Sequence, residues 1–231
     1  LGNQLGDDGV QLRWLAPTDF FLELGVEGLR GEAFPAGGAA NDGKGITTVF
    51  AHVGGDLNIS HSWQAGVSHL MARAEGRETG EPVEAFTGDS NLSVLDFVWK
   101  WAPDGNPKQT SFKLQLEYFL RSENGDYAGN AYAADQSGYY VQAVYQFMPR
   151  WRLGLRYDVL DADDPGAAFA GTQLDTQGHD PRRWSAMLDW SRTEYSRLRL
   201  QYNRDDSTPD SDNQVYVQYI MSLGAHGAHR F

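Results

Sequence analysis

The sequence predicts an all-β fold: an antiparallel, up-and-down transmembrane β-barrel domain spanning 1–231, with about eleven or twelve strands in this chain. Three observations lead there. Apolar and polar residues alternate with a period of two from one end to the other. The connections between these segments alternate short and long. Aromatic residues gather at both ends of the segments, as interfacial Trp and Tyr do.

The predicted strands fall at about 9–16, 19–29, 46–54, 58–73, 91–102, 110–122, 138–148, 151–160, 182–193, 196–204 and 213–223, the last extending toward 231. FKLQLEYFL shows the pattern: Phe112, Leu114, Leu116, Tyr118 and Leu120 share a face, opposite Lys113, Gln115 and Glu117. In RRWSAMLDW, Trp184, Ala186, Leu188 and Trp190 oppose Arg183, Ser185 and Asp189. No segment carries a helical stripe of useful length. Strands of this length suit a tilted crossing of a bilayer and exceed those usual in soluble sheets.

Short turns are expected at 17–18, 54–57, 104–108, 149–150 and 193–194, and long loops at 30–45, 74–90, 123–137, 161–181 and 205–212. Alternation of this kind puts every long loop at one end, which a Greek-key sandwich does not do. Trp14, Phe20, Phe21, Trp99, Trp101, Phe112, Phe147, Trp151, Trp190 and Tyr195 flank the short turns. Tyr118, Tyr139, Tyr157, Trp184 and Tyr202 lie toward the long loops.

Composition narrows the function. The net charge of −12 argues against a nucleic-acid partner, which needs a cationic footprint. The chain has no cysteine, so no disulfide framework and no thiolate metal site. No apolar run is long enough for a membrane-spanning helix. The opening LGNQLGDDG reads as the inside of a loop, and no signal sequence opens the chain. Eleven strands would leave the two ends on opposite sides. An odd number of further strands is therefore expected before Leu1, giving twelve at least or about sixteen for a porin.

The stretch QVYVQYIMSLGAHGAHRF alternates Val215, Val217, Tyr219, Met221 and Leu223 with polar residues and ends in an aromatic. It resembles the closing strand of a bacterial outer-membrane β-barrel, and implies a barrel-assembly signal at Tyr219, Met221 and Phe231. DDGVQLRWLAPTDFFLELGVEGLRGEAFP, HSWQAGVSHL and YIMSLGAHGAHRF together are similar to the C-terminal part of a little-characterised proteobacterial family. That family is labelled a zinc-regulated, TonB-dependent-type receptor or porin-like protein. The resemblance spans most of the chain and implies an outer-membrane location, contact with outer-membrane lipid and lipopolysaccharide, and folding by the barrel-assembly machinery. No plug-like segment or TonB box is read in these residues, so a porin-like channel is preferred to a receptor.

If the apolar parity faces lipid, the other parity lines the lumen. It carries Arg13, Glu23, Glu27, Asp96, Lys100, Lys113, Glu117, Arg121, Arg152, Arg156, Asp158, Arg183, Asp189, Arg197 and Arg199. A charge at the lipid midplane would cost about 2–4 kcal/mol, so segregation of charge to one parity is a physical test of the fold. Arg152, Arg156, Arg183, Arg197 and Arg199 lie on neighbouring strands and read as a basic ladder attracting anions. The preferred alternative is neutralisation by Asp158, Asp189 and Glu117.

Other motifs fail. GAANDGKG at 38–45 nearly matches a phosphate loop but lacks the hydroxyl residue and a following helix. Ser68 and His69 are neighbours on a strand and point to opposite faces. His61 and His69 share a face but lie about 26 Å apart, and His226 and His229 differ in parity, so no metal site is assigned. Acidic loop runs at 161–164 and 206–212 read as solvated. No cofactor and no enzymatic activity is expected. The leading expectation is passive diffusion of small polar or ionic solutes, with a homo-oligomer expected by fold analogy. A plugged receptor, an outer-membrane enzyme and a structural barrel are the alternatives.

Overall fold

The computed structural model describes residues 6–38, 45–79, 83–172, 174–193 and 195–222, with nothing said of the Thr79 side chain. Among these residues eleven strands form one sheet in strict sequence order: β1 (Gly9–Leu15), β2 (Phe21–Leu29), β3 (Ile46–Asn58), β4 (His61–Thr79), β5 (Glu84–Trp101), β6 (Ser111–Tyr127), β7 (Asn130–Met148), β8 (Trp151–Ala162), β9 (Arg182–Thr193), β10 (Ser196–Asp206) and β11 (Asp212–Met221). Every neighbouring pair is antiparallel. This is the up-and-down all-β architecture that the alternation predicts.

The register assigns each residue to a face, because directly paired residues point the same way. Leu12, Leu24, Val49, Val67, Leu95, Leu116, Val141, Tyr157, Trp184, Tyr202 and Val215 all fall on one face. That face leaves its large apolar side chains open: Leu155 is 54% exposed and Val217 72%. In water such a belt would far exceed the apolar patch a soluble monomer shows. Against acyl chains it costs nothing. Tyr157 and Trp184 stack at 4.1 Å in the upper aromatic group, and Trp151 and Trp190 pair at 6.3 Å in the lower. Residues of β3 and β10 line one cavity on the opposite face, so the sheet curls with that face concave. Among the described residues, β1 pairs with β2 alone and β11 with β10 alone. The sheet is thus an open sector of barrel wall.

Two of the expected long loops are strand. β4 and β5 continue to Thr79 and Glu84 through a bulge between Glu75 and Arg77, replacing most of the loop at 74–90. β6 and β7 run on to a two-residue turn, Ala128–Gly129, replacing the loop at 123–137. These strands of 17–19 residues reach about 60 Å, roughly twice what a bilayer crossing needs. They stand above the membrane, where both faces are wet and alternation fades. The outward pair Arg73–Asp89, 3.5 Å apart, marks where the lipid face ends. The turn expected at 54–57 is also strand: Gly54, Gly55 and Asp56 pair with Gln64, Trp63 and Ser62, and the chain reverses at 59–60.

Leu155→Arg tests the assignment of faces. It is an exposed position and would be harmless in a soluble sheet. In the bilayer it is expected to cost about 2–4 kcal/mol, read from urea unfolding of the protein in lipid vesicles.

Candidate functional site

The concave face carries the ionic residues. All the residues assigned to the lumen parity, from Arg13 to Arg199, lie on it in the register. It divides into three tiers.

The middle tier is a single row of paired positions: Glu23, His52, Gly66, Asp96, Glu117, Tyr140, Asp158, Arg183 and Asp205. Arg13 Nε donates to Glu23 at 2.9 Å. His52 lies between two carboxylates, Nδ1 3.6 Å from Glu23 and Nε2 3.8 Å from Asp96. Gly66 allows that approach, since a Cβ there would stand 2.1 Å from Asp96 Oδ2. Gln115 donates to the Tyr140 hydroxyl at 2.8 Å, and that hydroxyl donates to Glu117 at 2.7 Å. Arg156 lies over the Tyr140 ring at 3.8 Å and chelates Asp158 at 2.6 Å. Arg183 pairs with Asp205.

The lower tier, near the short turns, is built on Asp189. Its carboxylate is fully buried and takes hydrogen bonds from Arg199 Nε at 2.7 Å and Arg152 Nη2 at 3.1 Å, with Arg197 Nη1 at 3.6 Å. β8, β9 and β10 deliver these groups because Arg152, Asp189 and Arg199 occupy one row of the register. Lys100 and Lys113 are direct partners across β5 and β6. Of the expected partners, Asp158 takes Arg156 and Asp189 takes Arg152, Arg197 and Arg199, whereas Arg183 pairs instead with Asp205 and Glu117 accepts from Tyr140. Three guanidiniums share one aspartate below.

The upper tier is made by loops folded inward. The β2–β3 connection seats Ala36 against Ile46, Leu70 and Ala72 on the concave face. Arg77 donates to the Pro35 carbonyl at 2.6 Å and to Glu123 at 2.9 Å, and Arg121 reaches the same carboxylate at 2.5 Å. Phe34 lies beneath both guanidiniums, 5.3 Å from Arg77 and 4.9 Å from Arg121. Glu75 N–H donates to Gly37 O at 3.1 Å. Gly38, at φ 109°, is the residue this approach requires: a Cβ would meet Glu75 O at 2.0 Å. From the other side, the β8–β9 connection inserts Phe169 among Ala74, Phe86, Tyr127 and Tyr132. Its ring meets Tyr132 at 5.5 Å and Tyr127 at 6.0 Å. In the same loop the backbone N–H groups of Gly171 and Gln177 hold the Asp175 carboxyl below the ordinary carboxylate range.

Sequence reasoning missed Phe34, Arg77, Glu123 and Phe169, all assigned to loops. The parity of Phe86, Gly88 and Ser90 continues that of Leu92 and would have extended β5. Tyr219 and Met221 project outward from β11 with most of their surface exposed. Phe231, His226, His229 and most of GAANDGKG lie outside the described residues. Ser68 faces inward, while His69 faces outward and bonds Ser93 Oγ at 2.9 Å. Among the described residues no three His or carboxylate side chains converge as a metal site would require.

No protein-family model matches the chain. An uncharacterized protein of Aquifex aeolicus is 28% identical over 253 aligned positions, covering the whole of this chain and 53% of that protein. The chain thus spans about half the length of this relative. Among solved structures, the chain is similar to OmpT, an outer membrane protein of Vibrio cholerae, in its trimer form, with TM-score 0.51, 14% identity and coverage of 86% of this chain and 54% of that one. A loop-deletion mutant of OmpT gives TM-score 0.52 and 16% identity, covering 91% and 62%. The fold is that of a bacterial outer-membrane β-barrel wall. Its exposed apolar belt places it in that membrane. The family labelled zinc-regulated is not among these matches.

Asp189→Asn leaves three guanidiniums around a neutral amide in a buried site. A loss of about 3–5 kcal/mol is expected, against less than about 1 kcal/mol for Asp158→Asn in its half-exposed pair. Denaturant midpoints of the two variants in detergent micelles decide this.

Proposed function

We propose that the chain forms part of a porin-like channel that passes small polar or ionic solutes by passive diffusion. The observation that carries this reading is the concave face: its middle and lower tiers are ionic, while the outward face is apolar. Here the lower wall borders a space of about 860 Å³ lined by polar and charged groups. The two inward loops narrow the mouth at the level of Phe34 and Phe169, as a constriction does. The porin-like side of the family resemblance is the one this supports. On the same reading the outward belt meets lipid and lipopolysaccharide, the barrel-assembly machinery inserts the chain, and the protein works as a homo-oligomer.

The complete protein in planar bilayers is expected to give discrete current steps in potassium chloride. Phe34→Ala and Phe169→Ala are each expected to raise the unit conductance, because each removes an aromatic ring anchoring an inward loop. A flat trace at every voltage would reject the channel.

A further inference from the structure

The connection between β5 and β6 differs from its neighbours at the short-turn end of the sheet. The β3–β4 and β7–β8 turns occupy only 59–60 and 149–150, whereas this connection runs from Ala102 to Thr110. Pro103 and Pro107 stiffen it. Gly105 N–H donates to Ala102 O at 3.1 Å, and Asn106 N–H to Pro103 O at 2.9 Å. The Asn106 side chain accepts from Lys108 N–H at 3.1 Å. Its own hydrogen bonds thus give the segment a defined shape.

Both sides of the segment are tied to the sheet. On one side, Ala102 N–H donates to Ser60 O at 2.9 Å and Asp104 N–H to Ser60 Oγ at 3.0 Å, in the β3–β4 turn. On the other, Gln146 Nε2 donates to the carbonyls of Pro107, Lys108 and Gln109 at 3.0, 2.9 and 3.3 Å. Gln146 belongs to β7, and its row in the register, with Ser111, Arg152 and Asp189, lies on the concave face. A chain that leaves β5 and meets a concave side chain of β7 must pass in front of β6. Gly105 and Pro107 accordingly border the same cavity as Asp189 of β9 and Arg199 of β10.

Two further features show that the segment is held in this position. Asp104 and Gly105 have φ of 52° and 70°, two left-handed residues in succession. Such a conformation is uncommon outside glycine and persists only where the surroundings impose it. The pairing of β7 with β8 shifts register between Gln146 and Met148. An irregularity of this kind re-aims the side chain beside it. Three carbonyl oxygens drawn toward one point repel each other, and the amide hydrogens of Gln146 are what reconcile them.

We propose that residues 102–110 form a strap that narrows the pathway at its short-turn end, and that Gln146 is the positioning residue that holds the strap there. The proposal rests on the channel reading for its role in conduction, but not for the placement of the strap. The pathway then has a constriction at each end, one set by the inward loops and one by this segment.

The test uses the complete protein and two variants. Gln146→Leu removes the donor at similar bulk. Gln146→Lys retains it, since an ammonium offers three hydrogens to three carbonyls. Heat-modifiable mobility on gels verifies that both fold. Spin labels at Lys108→Cys in the strap and Arg192→Cys on β9, both exposed positions, report the distance between them. A single narrow distance distribution is expected with Gln146 or Lys at position 146, and a broad one with Leu. Unit conductance in potassium chloride is expected to rise about twofold in Gln146→Leu and to stay near the parent value in Gln146→Lys. A distribution in Gln146→Leu as narrow as the parent's would overturn the role of Gln146. A distribution that broadens while conductance stays constant would overturn the strap as a constriction and leave the channel standing. Absence of current in every variant, with the distances behaving as expected, would overturn the channel and uphold the placement of the strap.

Discussion

Backbone hydrogen bonding in lipid governs this structure. An unpaired N–H or C=O within the hydrocarbon costs several kcal/mol, so a β-sheet can cross a bilayer only with its ladder complete and its edges closed. Each strand from β2 to β10 is paired on both sides. Once that ladder exists, its pleat decides everything on either side of it. Successive side chains must alternate between lipid and lumen, and a charge placed on the wrong parity is expelled from the fold. The separation of Leu114, Leu116, Leu153 and Leu155 from Lys113, Glu117, Arg152 and Arg156 is the outcome of that one constraint.

The second consequence is vertical. The lipid can dictate only about ten residues of each strand. Above that height β4 to β7 continue as a wall in water and need another source of stability. The two inward loops provide it. Phe169 covers Phe86, Tyr127 and Tyr132, and Ala36 covers Ile46, Leu70 and Ala72. Arg77 joins the two regions, lying over Phe86 on one side and Phe34 on the other while bonding Glu123. The same contacts that support the tall wall hold both loops against the concave face. On the channel reading proposed above, stability and conductance are coupled there, since removing a side chain that anchors either loop also loosens the wall.

Much of this was legible in the sequence, for a definable reason. Where lipid acts, residue parity carries information, and the eleven membrane segments and their inward charges follow from it. Above the membrane the selection relaxes. Gly88, Gly125 and Asp126 look like loop residues because water touches both faces, yet all three are paired in the ladder. The partners of the upper tier escaped because they are non-local: Phe34 and Phe169 contact strands up to about a hundred residues away, and no local pattern reports that. The pairing of charges was legible only in part. Asp158 lies two residues from Arg156 on one strand and was recognised. Asp205 reaches Arg183 only through the register of β9 and β10 and was taken for loop. The convergence of three arginines on Asp189 likewise depends on three strands aligning in one row.

The most direct test of the account measures the environment of alternate residues along one strand. The chain has no native cysteine, so single cysteines can be introduced and spin-labelled without background. Labels at Leu114, Leu116, Leu153 and Leu155 in vesicles are expected to collide readily with oxygen dissolved in the bilayer. Labels at Gln115, Gln142 and Arg156 are expected to collide with a water-soluble nickel chelate instead. If the leucine positions proved shielded from both reagents, as in the dry interior of a sandwich of sheets, the barrel wall and every inference drawn from its two faces would be wrong.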